Sequence, residues 1–331
     1  KVIMAKHSSF ERVIGNIPES EKEQILRNKE ERFDDQIFED LQGKEREKTP
    51  QELQIISLAN KATNEIRQRY GSESFDIPPQ NIHVITEEAW PREKSTAFFK
   101  PMLQTVAMRE KLSDIAFAKT VFHEMTHFKS YGALQMIHGE DPEFAEYRLG
   151  LTIYSRDGKA MYFRNLNEAV TEEVTKRFIK KLFKDPFFSD ETRQTEDIIG
   201  KYPRAVTESG KSLFDEDTFY AETQSNKSWK ESVDRLFGKL FGSRVKISTE
   251  SFTYKQERKV LNMLIDKILE RNPEKFQDRE EVFEIFAKGM MTGNILPVGR
   301  LIERTFGKGA LRGIGELDHD VEAQESFVAT L

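Results

Sequence analysis

The feature that most constrains this 331-residue chain is one apolar segment, residues 112–127, that ends in the pentapeptide HEMTH. Ser113 is a favourable N-cap residue, and neither glycine nor proline interrupts the residues after it, so the segment is predicted to be a helix. Most of its side chains are apolar, and its few polar ones share one side of the helical wheel. The helix is therefore expected to be buried, with its polar side lining a cleft.

Two histidines, His123 and His127, lie on that polar side. Their spacing of four places both imidazoles on one face of a helix, one turn apart, so they can reach a single metal ion. Glu124 would lie beside this ion and could accept a proton from a metal-bound water, as in the H-E-x-x-H zinc pattern. The pattern also arises by chance, and two histidines on an apolar helix can instead be satisfied core residues.

A second helix is predicted from Leu166 to Phe183. Its lysines and arginines mark a solvent side, where Glu173 also falls, whereas Glu168 and Glu172 lie together on the side facing away from solvent. Buried carboxylates are costly unless they meet a cation or hydrogen-bond donors. Zinc and its histidines would supply both, because a catalytic zinc takes three protein ligands and leaves one position for water. The alternative is pairing with some of the 51 lysines and arginines of the chain.

The two segments together resemble the gluzincin class of zinc metallopeptidases, to which thermolysin belongs. H-E-x-x-H is followed here by NEAVTE, which fits the N-E-x-x-x-[D/E] pattern of that class. The resemblance implies a Zn²⁺ cofactor bound by His123, His127 and Glu168. It further implies that Glu124 is the general base of peptide-bond hydrolysis and that Glu172 holds the first zinc histidine. Glu172 stands where the class often has aspartate, and the short spacing is most similar to the minimal gluzincins.

The resemblance implies two further roles. Gluzincins usually supply a tyrosine or histidine beyond the third ligand to stabilise the oxyanion, and Tyr202, Tyr220 and Tyr254 are available. Tyr254 heads a predicted helix and is expected to take this role, although each of the three can also be an ordinary packing residue. Zincins pair the substrate main chain with an edge strand upstream of the histidine helix, so Leu103–Met108 is expected to be an edge strand bordering the metal cleft.

The expected fold class is α+β, with a zincin-like catalytic core of a small mixed sheet, the histidine helix and the glutamate helix. The expected organisation is a helical N-terminal arm over 1–48, the catalytic core over 49–183, an irregular connecting region over 184–250 and a C-terminal helical subdomain over 251–331. The arm carries apolar residues at helical spacing as far as Leu41.

Local signals predict several element boundaries. Thr49–Glu52 reads as a helix start with a capping box and proline at the first helical position. Asp157-Gly158, flanked by two short β-prone runs, predicts a hairpin. Trp229–Phe241 is predicted to form a short helix within the connecting region.

Composition narrows the functional classes. The chain has no cysteine, which excludes disulfides, cysteine-ligated zinc and thiol catalysis. Its net charge is −6, and residues of both signs are intermixed, so they form no basic surface of the kind that binds nucleic acid. No apolar run approaches the length of a membrane span. The expected partner is a peptide or protein substrate, and the expected location is cytoplasmic, although the start at Lys1 is compatible with a trimmed N-terminus.

Two other classes stay open at this stage. One is a catalytically silent zinc-binding protein, for instance a regulatory or scaffold domain derived from a peptidase. The intact Glu124 argues against it, because a zinc site without chemistry does not need that base. The other is a helical interaction protein in which HEMTH is accidental.

Overall fold

The computed structural model describes residues 8–31, 43–90, 95–111, 113–137, 143–207, 209–224 and 246–331. Within these ranges the chain has an α+β fold with helices and mixed sheets, which agrees with the predicted class. The predicted helix over Trp229–Phe241 and the stretch of the N-terminal arm from 32 to 42 lie outside the described residues.

The helices are α1 (Glu19–Glu31), α2 (Pro50–Arg69), α3 (Asp114–Lys129), α4 (Arg164–Leu182), α5 (Ser189–Lys201), α6 (Lys255–Arg271), α7 (Arg279–Thr292), α8 (Leu296–Phe306), α9 (Ala310–Glu316) and α10 (Val321–Thr330). The strands are β1 (Arg12–Ile14), β2 (Ile82–Ile85), β3 (Ala97–Lys100), β4 (Thr105–Arg109), β5 (Gly132–Ile137), β6 (Glu143–Leu149), β7 (Thr152–Tyr154), β8 (Met161–Tyr162), β9 (Thr218–Gln224) and β10 (Lys246–Ser251). None of the helices in the described ranges combines the length and apolar character that a bilayer crossing requires.

The sheet that supports the histidine helix has the strand order β2-β4-β3. Strand β4 pairs parallel with β2 and antiparallel with β3, so the prediction that Leu103–Met108 forms an edge strand is wrong. Leu103 lies in a 3₁₀ turn, and the strand proper begins at Thr105. Its first four residues are all buried, as expected for a strand that is covered on both faces. Strands β2 and β3 are the two outer strands of this sheet, and β3 pairs only with β4 within the described residues.

Helix α3 is buried along almost its whole length, as its apolar sequence predicts. It packs against α2 on one side and against β3 on another. The rings of Phe99 on β3 and Phe128 on α3 stack at a centroid distance of 4.7 Å. The side chains of Phe117 and Phe122 are also fully buried, so α3 is held by core packing on several sides.

The N-terminal residues contain the predicted helix and, before it, a strand that is not predicted from the sequence. Helix α1 lies where it is predicted, but β1 before it pairs in parallel with β5 of a five-stranded sheet. This close approach requires Gly132, because a Cβ there would lie 2.1 Å from the carbonyl oxygen of Ser9. The buried Gln104 side chain bonds both the backbone N–H of Ser9 and the carbonyl of Lys29. The described part of the arm is therefore joined to the body of the fold.

Two predicted local signals are confirmed. Glu52 N donates to Thr49 Oγ1 at 3.1 Å and Thr49 N donates back to the Glu52 carboxylate at 2.8 Å, which completes the capping box of α2. Strands β7 and β8 form the predicted antiparallel hairpin. Gly158 in its turn has a φ of +67°, a conformation that glycine adopts at no steric cost.

One buried lysine joins α3 to α2. Lys129 in the last turn of α3 has no exposed surface, and its ammonium group donates to the Asn60 carbonyl at 3.2 Å and to Asn64 Oδ1 at 2.8 Å. The ammonium also lies 5.5 Å from the centroid of the Phe75 ring. Burial lowers the pKa of Lys129 from 10.5 to about 7, because the carboxylate of Asp76 offsets only part of the lost solvation and the positive charge of Arg67 adds to the lowering.

This burial predicts a pH-dependent stability. Between pH 7 and 10.5 the unfolded chain keeps the Lys129 proton while the folded chain releases it, so the free energy of unfolding rises with pH in that window. Urea unfolding of the wild type and of Lys129→Met at several pH values within the window measures the effect. The wild type should gain stability relative to the variant as pH rises. Equal pH slopes in the two proteins would contradict the assignment.

Candidate metal centre

The helix that carries the two histidines has a capped start. Ser113 Oγ accepts the backbone N–H of Ala116 at 3.1 Å, as its N-cap position predicts. The carboxylate of Glu191, on α5, accepts the N–H groups of Asp114 at 2.9 Å and Ile115 at 2.8 Å. A negative group at a helix N-terminus also interacts favourably with the helix dipole. The start of α3 is thus fixed by both a local and a distant side chain.

Helix α4, which carries Glu168, starts in a similar way. Phe163 precedes it in a left-handed conformation with a φ of 62°, and its side chain offers no cap. The cap comes instead from Asp318, whose carboxylate accepts the N–H groups of Arg164 at 2.7 Å and Asn165 at 2.9 Å. Residues near the C-terminus of the chain therefore hold the first turn of the helix that carries Glu168.

Three potential metal ligands converge between α3 and α4. The Nε2 atoms of His123 and His127 are 3.1 Å apart, and Oε2 of Glu168 lies 3.5 Å from the first and 3.2 Å from the second. A tetrahedral ion with ligands at about 2.0–2.1 Å would hold them about 3.3–3.4 Å from each other. The triangle therefore has the size that a zinc-like ion requires, and the residues predicted as ligands are the ones that form it.

The carboxylate of Glu172 fixes the orientation of the first histidine. Its Oε2 lies 2.7 Å from Nδ1 of His123, so Nδ1 donates this bond and Nε2 faces the triangle. A hydrogen bond of this kind to the second ring nitrogen is usual for metal-binding histidines. The prediction that Glu172 reaches a histidine of the pair agrees with this contact, and its role towards a metal stays a prediction.

The charged groups of the triangle shift the pKa values of one another. Burial alone would lower the pKa of His123, but hydrogen bonds to Glu168 and Glu172 raise it to about 9. Burial would likewise raise the pKa of Glu168, yet the positive charges and hydrogen bonds of the two histidines hold that pKa well below its usual range. Glu168 is thus ionised at neutral pH, as a metal ligand must be.

Glu124 differs from the other acidic residues of the site. Its side chain is 8% exposed, and burial raises the pKa of this carboxyl despite the opposing charges of His123 and His127. No hydrogen bond to its carboxylate is found within the described ranges, so the group is available to a water or a substrate. A raised pKa combined with a free carboxylate suits a group that accepts and returns a proton.

Tyr254 also belongs to the site. Its ring stacks on the imidazole of His123 at a centroid distance of 5.7 Å and an interplanar angle of 8°. Burial raises the pKa of its hydroxyl strongly, and the nearby carboxylates of Glu168 and Glu124 raise it further. The hydroxyl therefore stays protonated and can act as a hydrogen-bond donor at neutral pH.

The other two candidate tyrosines occupy different surroundings. Tyr220 donates its hydroxyl proton to Glu222 at 3.0 Å, and Tyr202 lies at the end of α5. Neither contacts the two histidines in the part of the chain that the structure describes. Of the three, Tyr254 is the one that the fold brings to the potential metal ligands.

Two residues that contact Glu172, Lys119 and Thr253, are not predicted from the sequence. Oε1 of Glu172 accepts Lys119 Nζ at 2.9 Å, the backbone N–H of Thr253 at 2.6 Å and its hydroxyl at 2.9 Å. Lys119 stands one turn before His123 on α3, so helical spacing could have indicated it. Thr253 comes from the connection between β10 and α6, and no local pattern brings it to this site.

The second histidine is bordered by Asn167. The amide nitrogen of Asn167 lies 3.4 Å from Nδ1 of His127, at the long limit for a hydrogen bond, and its Oδ1 accepts the N–H of Leu151 at 2.8 Å. Gly150 leaves room for this amide, because a Cβ there would lie 2.3 Å from Asn167 Oδ1. The φ of Gly150, +57°, also favours glycine.

No protein-family model, curated protein or solved structure matches the chain. The chemistry of the site is therefore argued from its own geometry and charges.

The geometry predicts different effects for three neighbouring glutamates on α4. Glu168→Ala removes a ligand and should abolish tight binding of one Zn²⁺ per chain. Glu172→Ala leaves the ligands in place but releases His123, and should weaken Zn²⁺ binding by roughly 10–100-fold. Titration against a chromophoric chelator measures both affinities.

The matched control is Glu173→Ala. Glu173 is half-buried in an ion pair with Arg258 at 3.2 Å rather than fully solvated as predicted, and it lies outside the triangle. Its variant should keep the wild-type affinity for zinc. Full retention of zinc by Glu168→Ala would remove Glu168 from the ligand set.

Proposed function

We propose that this protein is a zinc-dependent metallopeptidase with a zincin-like core built from the β2-β4-β3 sheet, α3 and α4. The observation that carries the proposal is the triangle of two imidazole nitrogens and one carboxylate oxygen, 3.1–3.5 Å apart, with the unpaired Glu124 beside it. Two histidines and one glutamate are the ligands of zinc in thermolysin-type hydrolases.

The donor set alone is shared with another kind of site. Two histidines and one carboxylate also bind non-haem iron in oxygen-activating enzymes. Glu124 favours zinc and hydrolysis, because a buried carboxylate next to the ion is what abstracts a proton from an attacking water. The resemblance to gluzincins points to the same ion and to peptides or proteins as substrates.

The proposed ligands and Glu124 have different roles in the reaction. His123, His127 and Glu168 would hold the ion, which when bound acts as a Lewis acid towards water and the substrate carbonyl. Glu124 accepts the proton of the attacking water and afterwards delivers it to the leaving amine. The burial that raises the pKa of Glu124 makes the carboxylate a better base for the first step and a usable acid for the second.

Tyr254 would complete the site as an oxyanion donor. Its protonated hydroxyl lies near Glu168 and Glu124, and its ring is fixed against the imidazole of His123. A donor that is already in place costs little reorganisation when negative charge develops on the carbonyl oxygen. The preceding residue, Thr253, is held by two contacts. Its hydroxyl accepts a hydrogen bond from Lys119, and its backbone N–H donates to Glu172.

Glu124→Gln tests the base. Glutamine keeps the shape of the side chain but cannot accept a proton, so hydrolysis should fall by roughly 10²–10⁴-fold while zinc remains bound. Cleavage of a broad peptide library, with and without a zinc chelator, and metal analysis of the purified variant provide the two readouts. Glu173→Gln is the matched control and should cleave normally.

The outcomes separate the competing functions. Loss of zinc from Glu124→Gln, or retention of much of its activity, would count against the base. Wild-type protein that binds zinc stoichiometrically but cleaves nothing in the library would favour the silent regulatory or scaffold protein. Wild-type protein that binds neither zinc nor iron would leave only the interaction protein.

Tyr254→Phe tests the oxyanion donor. Removing one such donor should lower kcat by about 10²–10³-fold, with smaller changes in KM and in zinc affinity, since the aromatic ring against His123 remains. Tyr202→Phe, at the end of α5, serves as the control with unchanged kinetics. A wild-type kcat for Tyr254→Phe would assign Tyr254 to packing alone.

A further inference from the structure

A cavity lies between α2, α3, α4 and α7, apart from the metal centre. Its volume is about 520 Å³, and none of the metal-centre residues lines it. Volumes of this order are typical of small-molecule sites. Because it is lined by residues of four helices and by none of the potential metal ligands, it is a separate pocket from the metal centre.

The floor of the cavity is hydrocarbon. Phe122 and Phe178 stack there with ring centroids 4.0 Å apart and an interplanar angle of 9°. Val174 and Phe283 extend the same apolar surface, and each of these four side chains is buried. A floor of this kind offers no hydrogen bonds and suits an alkyl chain.

The rim is charged, and part of its charge is already neutralised. Arg177 pairs with Glu280 at 2.6 Å and covers the Phe283 ring at 3.7 Å. Arg69 pairs with Glu284 at 3.3 Å. These ion pairs leave no net charge from the four residues that form them.

Three rim residues remain outside these pairs. Lys61 and Glu65 on α2 and Lys181 on α4 are exposed, and none of them forms an ion pair within the described ranges. Their charges sum to one positive charge at the mouth of an apolar pocket. A ligand that matches this arrangement has a long apolar body and one negative head.

We propose that this cavity binds a fatty carboxylate, with its alkyl chain on the floor formed by Phe122, Phe178 and Phe283 and its carboxylate at Lys61 and Lys181. The two lysines line the cavity from different helices, α2 and α4, and each carries a charge opposite to that of the head group. The floor excludes sugars and nucleotides as ligands, because it provides no partners for their many polar groups. This site does not depend on the metal centre or on the proposed peptidase activity.

Isothermal titration of the full chain with decanoate tests the proposal, with zinc removed by a chelator so that the metal centre does not contribute. Decanoate should bind saturably at one site per chain. Acetate, which lacks the chain, should not bind, and 1-decanol, which lacks the charge, should bind at least about tenfold more weakly than decanoate. Absence of saturable decanoate binding, or equal binding of 1-decanol, would overturn the proposal.

Variants locate the site. The double variant Lys61→Gln/Lys181→Gln should bind decanoate about tenfold or more weakly than the wild type, whereas Lys180→Gln, exposed and adjacent but not lining the cavity, should bind like the wild type. Ala62→Phe fills the cavity from α2 and should remove binding, with circular dichroism as the check on folding. Wild-type affinity in the double variant would place the carboxylate elsewhere and refute the proposed site.

Discussion

The buried carboxylate of Glu172 is the interaction on which the arrangement of the site depends. Its side chain has no exposed surface, and an unpaired charge in such a place would cost several kcal/mol. Burial would raise its pKa, but His123 and Lys119 lower that pKa strongly instead. Because the third partner is Thr253, this one group joins α3, α4 and the connection that leads into α6. The orientation of a potential metal ligand and the position of Tyr254 are therefore set by the same carboxylate.

The two helices that carry the site are each started by a carboxylate from far along the chain. Glu191 caps α3 and Asp318 caps α4, and each accepts two backbone N–H groups that would otherwise lack partners within the helix. Packing reinforces the second contact, because a Cβ on Gly315 would lie 2.7 Å from the Phe163 ring. The C-terminal helices thus contribute to the position of Glu168, although they supply none of the three ligands.

This arrangement explains which features can be predicted from the sequence. The pairs His123/His127 and Glu168/Glu172 can be identified because helical periodicity is a local property, and the structure brings both pairs together. The distant caps and Thr253 cannot be predicted, since those contacts exist only after the elements pack. The error at Leu103–Met108 has the same origin: strand order is non-local, although the consecutive apolar residues of β4 are typical of a central strand.

Backbone strain supports the proposed role of Tyr254. Gln104, Phe163 and Tyr254 are the non-glycine residues with positive φ in the described ranges, and the last two immediately precede α4 and α6. A left-handed conformation costs about 1–2 kcal/mol for a residue with a side chain, and asparagine or glycine would accept it more readily. At Phe163 the ring packs closely against Gly315. At Tyr254 the ring stacks on the imidazole of His123 and the protonated hydroxyl lies near Glu168 and Glu124, contacts that asparagine or glycine could not make.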